Sequence, residues 1–202
     1  MRKSMITIGI GALLVAGVVG AGVVATSTAG ASSYFAKATL LDASSVNVGW
    51  VSFKQADEHT EVRVHLTAAP GIDAFHGFHI HANNNPANGT GCVADPALPS
   101  TTWFVSADGH LNPGGVTHAH HVGDMPSVYV NDDGSVETTF RIDRIDPGTL
   151  DGKAVVFHAG ADNFNNIPAG ADGYTGSAAA VDLTARTGNA GDRLACGVIE
   201  LR

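Results

Sequence analysis

The sequence predicts an all-β fold built from many short antiparallel strands, and two observations point there. Apolar runs are short and end in turn-forming clusters such as Asn131-Asp132-Asp133-Gly134 and Asp146-Pro147-Gly148, in a chain of 202 residues with 25 glycines. That is the punctuation many short strands require. No long helical periodicity follows the N-terminal segment, whereas Val62, Val64 and Leu66 alternate with polar residues between Glu61 and Thr67, the period-two pattern of a half-buried strand. A barrel or sandwich can use this length as one domain with an ordinary core.

The N-terminus reads as a targeting segment. Arg2 and Lys3 precede an uncharged run from Met5 to Ala25, and Ala29-Gly30-Ala31 offers the small residues a signal peptidase needs. Residues 1–31 are expected to be a signal peptide cut after Ala31, leaving 32–202 as the mature domain. The run is also about as long as a membrane-spanning helix needs, so an uncleaved anchor is the alternative. With no cysteine nearby, attachment through a lipid is not expected.

Charge narrows the partners. The chain carries a net −8, and without residues 1–31 nine bases face nineteen acids, a net −10. Nucleic acid is not an expected partner, since its phosphates are bound by cations. Any anionic substrate has to be drawn in by a local positive focus. The cysteines fit export: Cys92 and Cys196 are the only two, a single intramolecular pairing is available, and outside the cytoplasm it would be oxidised.

Chemistry is carried by the histidines. In Phe78-His79-Ile80-His81, residues two apart on a strand point to one face, so His79 and His81 can reach one ion while Ile80 enters the core. A His-x-His alone is weak evidence. His110, His118 to His121 with Asp124, and His158 follow at long intervals, more donors than one ion uses. Imidazole suits copper and zinc, so the pattern asks for two neighbouring ions, one accessible and one closed off. The remaining histidines have plainer readings: His59 and His65 lie in and beside the alternating Glu61–Thr67 stretch on its solvated side, and His76 is expected to make a structural hydrogen bond.

The words around these residues resemble one family. Gly77-Phe78-His79-Ile80-His81, Gly109-His110-Leu111-Asn112-Pro113, His121-Val122-Gly123-Asp124, Val155-Val156-Phe157-His158-Ala159 and Gly188-Asn189-Ala190-Gly191-Asp192-Arg193-Leu194-Ala195-Cys196-Gly197-Val198-Ile199 are similar to the copper,zinc superoxide dismutases, over roughly residues 34 to 202. The resemblance implies an eight-stranded antiparallel Greek-key β-barrel of the sandwich class with long metal-binding loops. It implies copper ligands at His79, His81, His110 and His158, with His110 bridging to zinc, and zinc ligands at His110, His118, His121 and Asp124. His118 stands eight residues after His110 but only three before His121, a shorter interval than in familiar members, so His118 and His120 both stay open as the zinc ligand.

Further roles follow from the same likeness. Arg193 matches the arginine beside the open copper position. Asp162 matches the carboxylate joining a copper-ligand histidine to a zinc-ligand histidine, and a Cys92 to Cys196 disulfide is implied. The stretch Asn163 to Arg186 should be a loop walling the copper channel, with Arg186 as its one base. The implied activity is dismutation of superoxide by copper redox cycling in an exported protein that is periplasmic, in the cell envelope or extracellular. A membrane tether through the N-terminal segment and a homodimer remain open. Two other classes compete: a non-catalytic copper-binding or chaperone-like domain of the same fold, expected to have lost copper ligands or the arginine, and a zinc-stabilised β-domain acting as an interaction module.

Overall fold

A computed structural model describes residues 34–166 and 177–202. The expected signal peptide or anchor, with its cleavage point, lies outside the described residues, as does part of the Asn163–Arg186 stretch. No helix of the described residues is long and apolar enough to cross a membrane.

The strands are β1 (Phe35–Asp42), β2 (Asn47–Ala56), β3 (His59–Leu66), β4 (Ala74–His76), β5 (Phe78–His81), β6 (Val128–Val130), β7 (Val136–Ile142), β8 (Ala154–His158) and β9 (Arg193–Leu201). One antiparallel sheet runs β5-β8-β9-β1-β2-β3-β7, and β4 pairs with β6. β6 turns into β7 through Asn131–Ser135, where the Asn131 N–H donates to the Ser135 carbonyl at 3.0 Å. The ring is thereby completed with Greek-key crossovers from β3 to β4 and from β7 to β8. Nine segments realise the expected eight-stranded barrel because one strand is broken at Gly77, its first half pairing with β6 and its second with β8.

Alternation decides what faces inward. Leu40, Val51, Phe53, Val62, Val64, Leu66, Phe78, Ile80, Val155, Phe157 and Ile199 are fully buried in the barrel, each worth roughly 1.5–3 kcal/mol of apolar burial. The opposite faces of β8 and β9 carry a smaller cluster of Ala154, Val156 and Cys196 under Phe104 and Ala107. That second cluster is roofed by the long segment between β5 and β6. Cys92 in this segment and Cys196 on β9 form the disulfide, with their Cα atoms 5.5 Å apart. The histidines of β5 and β8 are on this outer side too.

The expectation of a plain loop over Asn163–Arg186 needs correction, because Ala178–Thr187 forms a helix, α1. Its causes are local. Ser177 caps the start, its Oγ accepting from the Ala180 N–H at 3.2 Å, three alanines favour the first turn, and Arg186 pairs with Asp182 one turn back at 2.9 Å. Gly188 ends the helix in the left-handed region at φ 61° and donates to the Thr184 carbonyl. Ten residues are too few for a long apolar period to be visible in the sequence.

Candidate metal centre

Strand β5 is the template on which the site is assembled. His79 is bridged to Asp124 and His81 to His110 across its free side. The Ile80 N–H donates to the Gly123 carbonyl at 2.9 Å, and the Leu111 N–H to the Ile80 carbonyl at 2.8 Å. Gly123 is required for this approach: a Cβ there would stand 2.2 Å from the Ile80 carbonyl oxygen. The two segments that bring His110, His121 and Asp124 are therefore strapped directly to the strand bearing His79 and His81. His158 arrives from the neighbouring β8.

The result is two clusters sharing one residue. His79, His81, His110 and His158 bring ring nitrogens within 4.8 Å of one another, and so do His110, His118 and His121 with a carboxylate oxygen of Asp124. All are buried. His118, not His120, joins the second cluster, and His120 is exposed.

Hydrogen bonds specify which nitrogen of each ring points inward. His79 Nε2–H donates to Asp162 at 2.7 Å, His81 Nδ1–H to the Asp108 carbonyl at 2.8 Å and His158 Nδ1–H to the Gly191 carbonyl at 3.1 Å. His118 Nε2–H donates to Asp162 at 2.8 Å and His121 Nε2–H to the Val116 carbonyl at 3.1 Å. Each tautomer is thus set from outside the cluster, the usual arrangement around metal-binding imidazoles. The inward atoms are His79 Nδ1, His81 Nε2, His158 Nε2, His118 Nδ1 and His121 Nδ1. His110 is turned so that Nδ1 lies 2.8 Å from Asp124 while Nε2 faces the first cluster. His79 Nδ1 and His110 Nε2 are buried without a hydrogen-bond partner, and His118 Nδ1 points at the Asp124 carboxylate, 3.0 Å away. Buried polar atoms are rarely left without a partner, and converging imidazole nitrogens with one carboxylate are groups that could hold metal ions.

Electrostatics separates the clusters. Burial holds His79, His81, His110 and His158 below ordinary imidazole basicity, His110 down to about 4, so at neutral pH all four rings are neutral with free lone pairs. Burial acts in the same direction on His118, but Asp124 and Asp162, at 3.0 and 2.8 Å, outweigh it and raise His118 to about 9. The histidine partners in turn hold both carboxylates well below their usual range against the effect of burial.

Asp162 stands between the clusters, hydrogen-bonded to His79 from one and His118 from the other. Gly188 makes room for it: a Cβ there would lie 1.9 Å from the Asp162 carboxylate and 2.5 Å from His118 Nε2. The helix C-terminus thus packs against the link between the clusters, and the His118 N–H donates to the Ala185 carbonyl of α1 at 2.9 Å.

A cavity of about 230 Å³ opens onto the first cluster, lined by His81, His110, His158, Leu183, Thr187 and Arg193 among others. Arg193 is held by donating to the carbonyls of Phe104 and Asp108. Burial lowers its pKa and Asp108 opposes this, leaving a charged guanidinium at neutral pH. Asp108 is the residue that side-chain patterns missed. Its carbonyl orients both His81 and Arg193, and the only signal was the turn-forming Asp108-Gly109 ahead of His110.

His76 does what was expected of it, donating from Nδ1 to the His158 carbonyl at 2.8 Å. His65 lies on the outer sheet face, stacked on Trp50 and bonded to Glu137, and His59 is exposed.

The family model described as copper/zinc superoxide dismutase (SODC) matches residues 47–199. The chain belongs to the copper/zinc superoxide dismutase family. A superoxide dismutase [Cu-Zn] of Mycolicibacterium paratuberculosis is 35% identical over 163 residues, covering 75% of this chain and 68% of the relative. That of Mycobacterium tuberculosis is 35% identical over 173 residues, covering 80% and 68%. Among solved structures, the clock protein EA4 aligns with a TM-score of 0.60 at 26% identity, over 82% of this chain and 93% of that one. A double mutant of a SOD-like protein from Bacillus subtilis aligns at 0.58 and 24% identity, over 80% and 94%, and speaks for the fold. Copper and zinc are the metals of the copper/zinc superoxide dismutase family, and the two clusters suit them. The disulfide and the mycobacterial relatives fit an exported protein.

Proposed function

We propose that the chain is an exported superoxide dismutase that converts two superoxide anions and two protons to dioxygen and hydrogen peroxide. In this reading His79 Nδ1 and the Nε2 atoms of His81, His110 and His158 hold copper. His110 Nδ1, His118 Nδ1, His121 Nδ1 and Asp124 hold zinc. The observation that carries it is the orientation of the first cluster: four neutral imidazoles converge, and three of them, His81, His110 and His158, line a cavity whose wall contains a fixed guanidinium.

Bound copper supplies alternating one-electron acceptance and donation, and zinc, which has no redox chemistry, supplies charge and rigidity. The protein does the rest. Arg193 draws a small anion into the cavity against a mature-domain charge of −10 and orients it beside the histidines. His110 lines the same cavity, and its Nε2, when not bound to copper, would be the atom that holds a proton for a reduced substrate. Asp162 keeps His79 and His118 in register, so the two clusters retain their separation during turnover.

In this reading residues 1–31 serve export, either as a signal peptide whose cleavage leaves a mature domain from Ser32 or as an uncleaved tether. A non-catalytic copper carrier of the same fold is the competing class. A complete first cluster with Arg193 in its cavity favours the enzyme. Superoxide consumption by copper- and zinc-loaded mature protein, with metal content measured per chain, tests the reading. One copper, one zinc and rapid consumption are expected; tight copper binding without consumption would leave the carrier.

A further inference from the structure

Arg144 lies outside both clusters, on the crossover from β7 to β8, yet its side chain reaches the segment carrying the second cluster. Nη1 donates to the carbonyl of Ala119 at 3.0 Å and to that of His121 at 3.2 Å. These carbonyls bracket His120, and the two residues that own them are His118's neighbour and a cluster member. Apart from Asp124, whose carboxylate accepts from the His121 N–H at 3.0 Å, no other side chain among the described residues hydrogen-bonds to the backbone of residues 118 to 123.

The segment needs such support. It has no strand or helix of its own between His118 and Asp124, and ordering irregular backbone costs about 1–2 kcal/mol per residue. The interval from His118 to His121 also leaves few residues with which to aim two imidazoles at one point. One end is fixed from α1, where the Ala185 carbonyl receives the His118 N–H at 2.9 Å. Arg144 fixes the other end. Charge attraction does not explain its placement, because a cation beside a site for a dication works against binding. Its two backbone acceptors do, and an exposed guanidinium keeps its own charge largely screened.

We propose that Arg144 is a positioning residue for the second metal, clamping the compressed segment so that His118 and His121 stay aimed at Asp124. The inference rests on the reading that His110, His118, His121 and Asp124 hold zinc, and it deepens that reading by naming what keeps the site closed.

The test uses full-length mature protein loaded with copper and zinc. Arg144→Met keeps the length of the side chain and removes its donors; Arg144→Lys restores a donor. Zinc transfer to a chromogenic chelator should quicken about tenfold or more in Arg144→Met and return towards wild type in Arg144→Lys, while copper retention is unchanged. The melting temperature of metal-free protein should be the same in wild type and Arg144→Met, whereas the increase produced by zinc should be smaller in the variant. Equal zinc release overturns the clamp, and so does an equal loss of melting temperature with and without zinc, which would mark Arg144 as a general structural support. Wild-type protein that takes up no zinc would instead overturn the underlying ligand assignment.

Discussion

Asp162 accepts a hydrogen bond from Nε2 of His79 at 2.7 Å. The same carboxylate lies 2.8 Å from Nε2 of His118, so one side chain orients a donor in each cluster. Asp162→Ala should therefore weaken both metal sites together, by roughly 10- to 100-fold each. Competition with chelators of graded affinity measures this, and loss confined to one metal would show that the link is not shared.

Replacing a histidine of the first cluster should abolish activity without unfolding the barrel. In His158→Ala one of the four proposed copper donors disappears, whereas Phe157, its neighbour in the core, keeps its packing. Superoxide consumption should fall to background with a nearly native circular dichroism spectrum. By contrast Ile80→Ala, between two cluster histidines, should cost about 2–5 kcal/mol of folding stability. Full activity in copper-loaded His158→Ala would remove this residue from the site.

Arg193→Glu should slow superoxide consumption roughly tenfold or more, because the cavity loses its focus for an anion. Copper should stay bound. The dependence on ionic strength should also change, since salt would now weaken a repulsion. An unchanged rate at low salt would place Arg193 away from the path of the substrate.

In metal-free protein His118 is a cation at neutral pH, held between Asp124 and Asp162. Its pKa of about 9 in the folded state exceeds the unfolded value of about 6.5. The stability it contributes is therefore complete below about pH 6.5 and is lost as pH rises through about 9. Denaturation of metal-free protein across this range should show the loss, and His118→Phe should show less of it. Zinc binding at pH 7 should release a proton, readable by calorimetry in buffers of different ionisation enthalpy. No difference between buffers would mean that zinc does not displace it.

Thiol titration of denatured, non-reduced protein should find no free thiol, as Cys92 and Cys196 are paired. Reduction should lower stability by about 4 kcal/mol in the chain-entropy view and loosen the roof over Val156 and Ala154. Two thiols in freshly purified material would contradict the pairing.

The alternating strands and the His79–His81 pair were legible in the sequence because both rest on side chains in a period of two, whereas the full barrel and the parts of His110, His118, His121, Asp124 and His158 were read from the resemblance to the family. Ile80 inward with His79 and His81 outward follows from strand geometry alone. What stayed hidden was carried by backbone. The carbonyls of Asp108, Gly191 and Val116 set three imidazole tautomers, yet any residue supplies a carbonyl, so no residue type marks them. The choice between His118 and His120 depended on how a short irregular segment folds around Arg144 and α1, two supports distant in sequence. Helix α1 was missed because capping and an ion pair, not an apolar period, sustain it.

Strand β5 works as a partition. Substitution of His79 or His81 on its outer side leaves the side chains of Phe78 and Ile80 packed in the barrel core. The lineage can therefore drift on one side of this wall at little risk to the other: chemistry can be retuned, or discarded altogether, in a molecule that goes on folding. The outward-facing residues are the ones to interrogate when judging whether a given descendant still works.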